Sequence, residues 1–381
     1  MKNKLLLKFT ILFLILPVLG KAQTLPLPDH IVIFVLENKS YEQIIEITVN
    51  APYINQLAKS GALFTQFYAL THPSQPNYLM MFSGSNQGIN NNSYPTAAPW
   101  NRTIPFHTPN MGACLISKGY TFKGYAQGLP SVGYLGVNSG KYYSKHAVYS
   151  YWQGEGLNTI PDSSNQPFSN FPTDFNLLPT VSYVIPDSQY SMHDGTILQG
   201  DSWLKNNMDA YITWAKTHNS LFILTFDEGI TDSDNRIVTI ISGQNVVAGR
   251  YNEKLNHYNL LRTIEDIYGI CYTTANDSAA SPITSCWDSS VTSTNEIKTP
   301  LNNIRIFPNP FSSSTTLQSD ISFKEATLTV YNPYGQIVQQ IKNISGNTVT
   351  LFRENLPNGL YFIELTQDHK IIKTDKLLLT D

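Results

Sequence analysis

The chain is poor in charge. Only 14% of its 381 residues are Asp, Glu, Lys or Arg, and the net charge is −3. A surface of this kind does not gather polyanions, which excludes nucleic acid as the main partner and attraction to an acidic membrane face. Cysteine is scarce, with three in the chain, and no cysteine–histidine spacing fits a zinc site. Beyond Leu19 no apolar run is long enough for a spanning helix. The Gly-x-Ser-x-Gly elbow of the α/β-hydrolases is also missing.

What is present can build a core. The hydrophobic fraction is 41%, and the length fits two domains. Residues 1–22 read as a signal peptide: Lys2, Lys4 and Lys8 form a basic start, residues 9–19 an apolar centre, and Gly20-Lys21-Ala22 a cleavage site. An exported chain can form disulfides, and Cys271 and Cys286, close in sequence, are the expected pair. Cys114, in an apolar helical pattern, is expected to pack as a core residue.

Strands alternate with helices through the first part. Residues 30–36, 62–68, 120–125, 180–185, 221–226 and 237–241 read as strands; 51–60, 110–118, 202–218 and 257–268 read as helices, the third capped by Asp201 or Ser202. The expected fold is α/β, a parallel-sheet α/β/α sandwich. Residues 128–175 lack periodicity and read as loops over a site. From residue 301 short alternating strands replace the pattern, which predicts a small C-terminal all-β sandwich. The expected domains are therefore a signal peptide (1–22), a catalytic domain (23–294), a linker (295–300) and the β domain (301–381).

Sites in parallel sheets lie at the carboxyl ends of strands. Glu37-Asn38, Ser74, Asp187 and Asp227-Glu228 follow predicted strands closely. Ser74 sits in His72-Pro73-Ser74-Gln75-Pro76-Asn77-Tyr78, where a strand turns into a helix whose free N–H groups favour an anion. A helix cap is the alternative for that serine, and a solvated turn the alternative for each acidic pair.

The C-terminal block resembles the sorting domain of the type IX secretion system, through Phe307-Pro308-Asn309-Pro310, residues 331–338, 356–365 and 373–378. That resemblance implies transport across the outer membrane to the surface or beyond, with the secretion machinery as partner. Residues 28–275 resemble the phosphoesterase family that joins acid phosphatases and phospholipases C, related to the alkaline-phosphatase superfamily. The resemblance rests on Glu37-Asn38-Lys39-Ser40-Tyr41, the Ser74 stretch, Asp187 with His193-Asp194, Asp227-Glu228-Gly229 and Asn256-His257-Tyr258. Two positions depart from the family: Gln127 replaces a usual Glu, and Ala147-Val148 replaces the usual Asn-Pro after His146.

The resemblance implies a phosphatase acting on phosphomonoesters through a phosphoserine on Ser74, with Asn77 bonding a non-bridging oxygen. Glu37, Asn38, Asp227 and Glu228, with the Ser74 hydroxyl, offer oxygen ligands only, a set that suits Mg²⁺, Ca²⁺ or Mn²⁺. Asp187, His193 and His257 either donate protons to the leaving oxygen and screen the phosphate, which would favour acidic pH, or hold a second ion. His72 and His146 are expected as outer-layer or loop contacts. A phospholipase C-like diesterase, or a phosphoinositide phosphatase, is the alternative. A carboxylesterase using Ser74, Asp227 and His257 would leave Glu37 and Glu228 without a task. The partner expected is a small-molecule or lipid phosphoester, and the chain is expected to be a monomer.

Overall fold

A computed structural model describes residues 25–230, 234–288, 304–334, 336–367 and 370–381. The expected signal peptide and linker lie outside the described residues. The chain divides into two compact units, residues 1–292 and 293–381. Among the described residues no helix is long and apolar enough to cross a membrane.

The first unit is built on a sheet. Its strands are β1 (His30–Leu36), β2 (Ala62–Tyr68), β3 (Phe122–Ala126), β6 (Asn165–Pro167), β7 (Val181–Ile185), β8 (Ser220–Phe226), β9 (Arg236–Gly243), β10 (Gly249–Tyr251) and β11 (Leu255–Asn256). They run in the order β10-β2-β9-β8-β1-β7-β3-β6, with β11 beside β2. Between β3 and β6 lies a small hairpin, β4 (Asn138–Ser139) with β5 (Tyr142–Tyr143). The helices are α1 (Tyr41–Ile44), α2 (Pro52–Ser60), α3 (Ser74–Ser83), α4 (Met111–Ser117), α5 (Ile197–Ala215), α6 (His257–Tyr268) and α7 (Ala275–Ala279).

The sheet is mixed, not wholly parallel. β1 lies parallel to β7 and β8, but β9 runs antiparallel to both β8 and β2. The cause is chain length: only residues 227–235 join β8 to β9, too few for a crossover. β8 is buried along its whole length and β1 beyond its first residue, as a covered central strand requires.

Helix α5 starts earlier than its periodicity predicts. Thr196 caps it: its hydroxyl accepts from Gln199 N, and Gln199 Oε1 accepts from Thr196 N. Asp201 is one turn inside, and its buried carboxylate accepts from Tyr53 N and Ile54 N, capping α2 instead. Residues 128–175 are also more than loops. Tyr149, Tyr151 and Trp152 are core side chains. The Tyr149 ring lies against Gly124 so closely that a Cβ there would meet it at 2.0 Å.

The expected disulfide is corrected. Cys114 on α4 pairs with Cys271, just past α6, with Cα atoms 5.7 Å apart. Cys286 is buried and free, its carbonyl held by Val247 N beyond β9. Packing of α4 near α6 decides the pairing, and closeness in sequence does not.

The second unit is all-β. Among the described residues five strands, β12 (Arg305–Phe307), β13 (Ser314–Tyr331), β14 (Ile337–Phe352), β15 (Gly359–Gln367) and β16 (Lys370–Leu379), form one antiparallel hydrogen-bonded sheet. Register shifts along β13 bend it over a core of Leu317, Phe323, Leu328, Ile363, Leu365 and Leu377.

Candidate active site

Three strand ends of the sheet and one helix start meet. β1 leads into Glu37-Asn38, β8 into Asp227-Glu228, and the loop after β2 into Ser74, the first residue of α3. Every residue of α3 is buried, so the helix is fixed from Ser74 to its left-handed cap Gly84.

Ser74 Oγ lies 2.9 Å from Glu228 Oε1 and 3.2 Å from Glu37 Oε2. The outer oxygen of Glu228 meets His72 Nδ1 at 2.6 Å. The Tyr78 hydroxyl donates to Glu37 Oε1, and His146 Nε2 stands 3.3 Å from the same oxygen, outside hydrogen-bond geometry. Asp227 Oδ1 accepts from Asn38 N at 3.0 Å and Glu228 N at 2.7 Å; its Oδ2 is buried with no partner. Lys39 Nζ donates to Asn38 Oδ1 at 2.8 Å.

The electrostatics follow from burial. Desolvation holds the Glu37 carboxyl above its ordinary range, against the lowering effects of Tyr78, His193 and Lys145. Asp227 is pushed well up by burial and then by Glu37 and Glu228. Buried carboxylates that resist ionisation, with an orphaned oxygen among them, are the surroundings a cation stabilises. In kind, the oxygen donors of Glu37, Asn38, Asp227 and Glu228 suit a hard dication. Among the described residues, the acid and histidine ligand atoms that all lie within 4.8 Å of one another are those of Glu37, His146 and His193, close enough to hold a metal ion.

The other expected residues find different places. Asn77 does not face the site as a phosphate donor. Its Oδ1 accepts from Leu70 N and Thr71 N, and its Nδ2 donates to Thr71 O, so the carboxamide ties down the loop before Ser74. Asp187 Oδ1 accepts from Gln189 N and Tyr190 N, closing a turn, while Gln127 Oε1 receives Asp187 N. His193 is oriented by Asp194, its Nδ1 lying 2.8 Å from Oδ1. His257 is fully buried; Nε2 donates to the Asp227 carbonyl at 2.8 Å, and burial lowers it to about 4. That bond commits its Nε2–H to the main chain and away from the leaving oxygen it was expected to protonate. This geometry also removes the esterase triad, because His257 bonds a main-chain oxygen and no histidine lies against Ser74 Oγ among its hydrogen-bond partners.

Two residues of the site were undervalued by sequence reasoning. Tyr78 carried a signal, since it lies four residues after Ser74 and so on the same helix face. His146, expected as a loop contact, is buried against Glu37, and burial likewise holds it well below the usual imidazole range. No periodicity marks a residue placed by an irregular segment.

The sequence pattern of the phosphoesterase family matches residues 48–271. The chain belongs to the phosphoesterase family. A phosphatidylinositol-3-phosphatase of Mycobacterium tuberculosis is 44% identical over 268 residues, spanning 70% of this chain and 85% of that one. An acid phosphatase of Aspergillus fumigatus is 25% identical over 250 residues, 62% of this chain and 54% of that one. The chain thus spans about half the length of that fungal relative. Among solved structures, a Vibrio parahaemolyticus protein of the alkaline phosphatase superfamily aligns at TM-score 0.47 and 10% identity, covering 94% of this chain and 84% of that one. This phosphoesterase is accordingly a phosphatase, a phosphoric ester hydrolase. Residues 305–380 match the secretion system C-terminal sorting domain, which indicates type IX export to the cell surface or the surroundings.

Proposed function

We propose that the chain is an exported, metal-dependent acid phosphatase that hydrolyses phosphomonoesters through a phosphoserine on Ser74. The observation that carries this is the Ser74 hydroxyl at the start of a buried helix, 2.9 Å from Glu228 and 3.2 Å from Glu37. Residues 23–294 are assigned to catalysis, 295–300 to a linker and 301–381 to sorting.

Ser74 Oγ attacks phosphorus as its proton passes to Glu228 Oε1, and the bond to the leaving oxygen breaks. His193, with Nδ1 held by Asp194 and its other nitrogen free to turn to substrate, protonates the leaving alcohol. Water then displaces the serine, losing a proton to His193 as Glu228 returns its proton to Ser74 Oγ, which yields inorganic phosphate and restores all three residues. Glu37, Asn38, Asp227 and Glu228 would hold a dication, which would supply charge against the phosphoryl oxygens and favour the ionised hydroxyl. Tyr78 and His72 hold Glu37 and Glu228 in place. The name of the mycobacterial relative supports a phosphoinositide monoester among the substrates.

The test compares a chromogenic phosphomonoester, its diester and a phosphoinositide, with and without chelator, for wild type and Ser74→Ala. Turnover of the monoesters should exceed that of the diester and vanish with chelator. In Ser74→Ala it should fall by at least ~10⁴-fold, the scale for loss of a nucleophile. Monoester hydrolysis that persists in Ser74→Ala would remove the assigned nucleophile.

A further inference from the structure

The charge balance of the site leaves a gap. Glu37, Asp227 and Glu228 contribute three carboxylates, and one dication offsets two of those charges. A phosphomonoester arrives as a dianion, one charge more than a diester, so a further cation is needed beside the phosphate.

The basic residues nearby differ in what already engages them. Lys39 is turned back on Asn38, donating to both its carbonyl and its side-chain oxygen. Lys141 donates to Gln189 Oε1 across the turn after β7. Lys145 stands apart. Among the described residues it makes no ion pair with a carboxylate, and its ammonium lies 5.5 Å from the centre of the Tyr143 ring. That ring is 6.1 Å from His146, which stands 3.3 Å from Glu37 and 5.6 Å, ring to ring, from His193. Lys145 is close enough for its charge to be felt by both Glu37 and His146.

The backbone holds it there. His146 N donates to Tyr143 O, and Ser144 N donates to Val137 O, so Lys145 sits on a closed turn at the base of the β4–β5 hairpin. The side chain is half-buried and rests on an aromatic face, which limits its freedom without neutralising it. A cation fixed beside the site without a carboxylate of its own is matched by an anion that comes and goes.

We propose that Lys145 binds the phosphoryl oxygens of the substrate and sets the preference for monoester dianions over diesters. This inference rests on the phosphomonoesterase reading above and names the residue that gives it its selectivity. Lys145 takes no part in bond making. It adds a charge-assisted contact to the second negative oxygen, which a diester lacks.

The experiment uses the exported chain with Lys145→Met, which keeps length and apolar stem, and Lys145→Arg, which restores charge. A chromogenic phosphomonoester and its diester are compared by kcat/KM, and inorganic phosphate is titrated calorimetrically into each protein. For Lys145→Met the monoester kcat/KM is expected to fall about 10- to 150-fold, the range for losing a hydrogen bond to a charged group. The diester should change less than about 5-fold, so the ratio collapses, and phosphate affinity should fall in step. Lys145→Arg should recover most of both. An unchanged monoester-to-diester ratio, or equal phosphate affinity in wild type and Lys145→Met, overturns the proposal. The phosphate titration needs no turnover, so it decides on Lys145 even if Ser74→Ala were to refute the phosphoserine route.

Discussion

Replacing Glu265 by glutamine should stabilise the protein at neutral pH and leave its stability in acid nearly unchanged. Glu265 on α6 and Asp277 on α7 are both fully buried. A single amide, Thr273 N, donates to both, at 3.2 Å to Glu265 Oε1 and 2.7 Å to Asp277 Oδ2. Two carboxyl groups that share one donor lie too close to ionise together. Burial first, and then the charge and hydrogen bond of Asp277, push Glu265 from 4.5 up to about 9. The folded state therefore holds a proton that the unfolded chain releases above its ordinary value. The stability this proton confers is complete below about pH 4.5 and is lost as pH rises towards about 9. Each pH unit in that window is worth up to about 1.4 kcal/mol. At pH 7 the ceiling is about 3 kcal/mol; relaxation of the pair and the nearby Arg262 reduce the expectation to roughly 1–3 kcal/mol. Glutamine donates to Asp277 at every pH, as the folded-state acid does below about pH 9, and has no proton to lose on unfolding. Thermal midpoints of wild type and Glu265→Gln from pH 4.5 to 8 give the answer. The variant should gain by about 3–10 °C at pH 7 to 8 and little at pH 4.5. Other buried acids, Glu37 and Asp227 among them, act with the same sign, but they cancel in the difference between the two proteins. A difference that does not vary with pH, or a variant less stable than wild type at pH 8, refutes the reasoning.

Cys114→Ser should cost more than its small volume implies. The bond to Cys271 closes a span of 157 residues, which sets a chain-entropy ceiling of about 5 kcal/mol. Denaturant unfolding should show a loss of about 2–4 kcal/mol, and peptide mapping without reductant should recover the Cys114–Cys271 link. Chelation should lower the thermal midpoint, more at pH 8 than at pH 5, because the buried carboxylates are then left ionised without a cation. A shift independent of pH would argue against metal binding at Glu37 and Asp227. Tyr78→Phe removes the hydroxyl that donates to Glu37, and kcat for a monoester should fall about 10-fold with a smaller effect on stability. Asp201→Ala leaves Tyr53 N and Ile54 N without an acceptor at the start of α2, at a cost of about 1–2 kcal/mol by denaturant unfolding.

The positions of Glu37, Ser74, Asp227 and Glu228 were legible because each follows an apolar run closely. Such a run has one way to be buried in a covered sheet, and its polar neighbours must then emerge at the strand end. The same logic misjudged Asn77 and His257. Their neighbourhood was right, but local pattern does not say which way a side chain turns. Asn77 is used up by the backbone of its own loop, and His257 by the carbonyl of Asp227. Lys145 and His146 had no pattern at all, since their place depends on the hairpin and on contacts between distant segments.

Local chemistry thus determined the long central strands and main helices of the first unit, the all-β character of the second, and the acidic strand ends with a serine between them. Periodicity and turn residues act over a few neighbours, and the sequence states them directly. Tertiary packing alone decided that β9 runs antiparallel, that Cys114 meets Cys271, and that Asp201 caps a helix other than its own. It also decided that Tyr78 and His146 close around Glu37. These are pairings between segments far apart along the chain. They depend on which surfaces leave the fewest polar groups buried without partners once all of them are packed together.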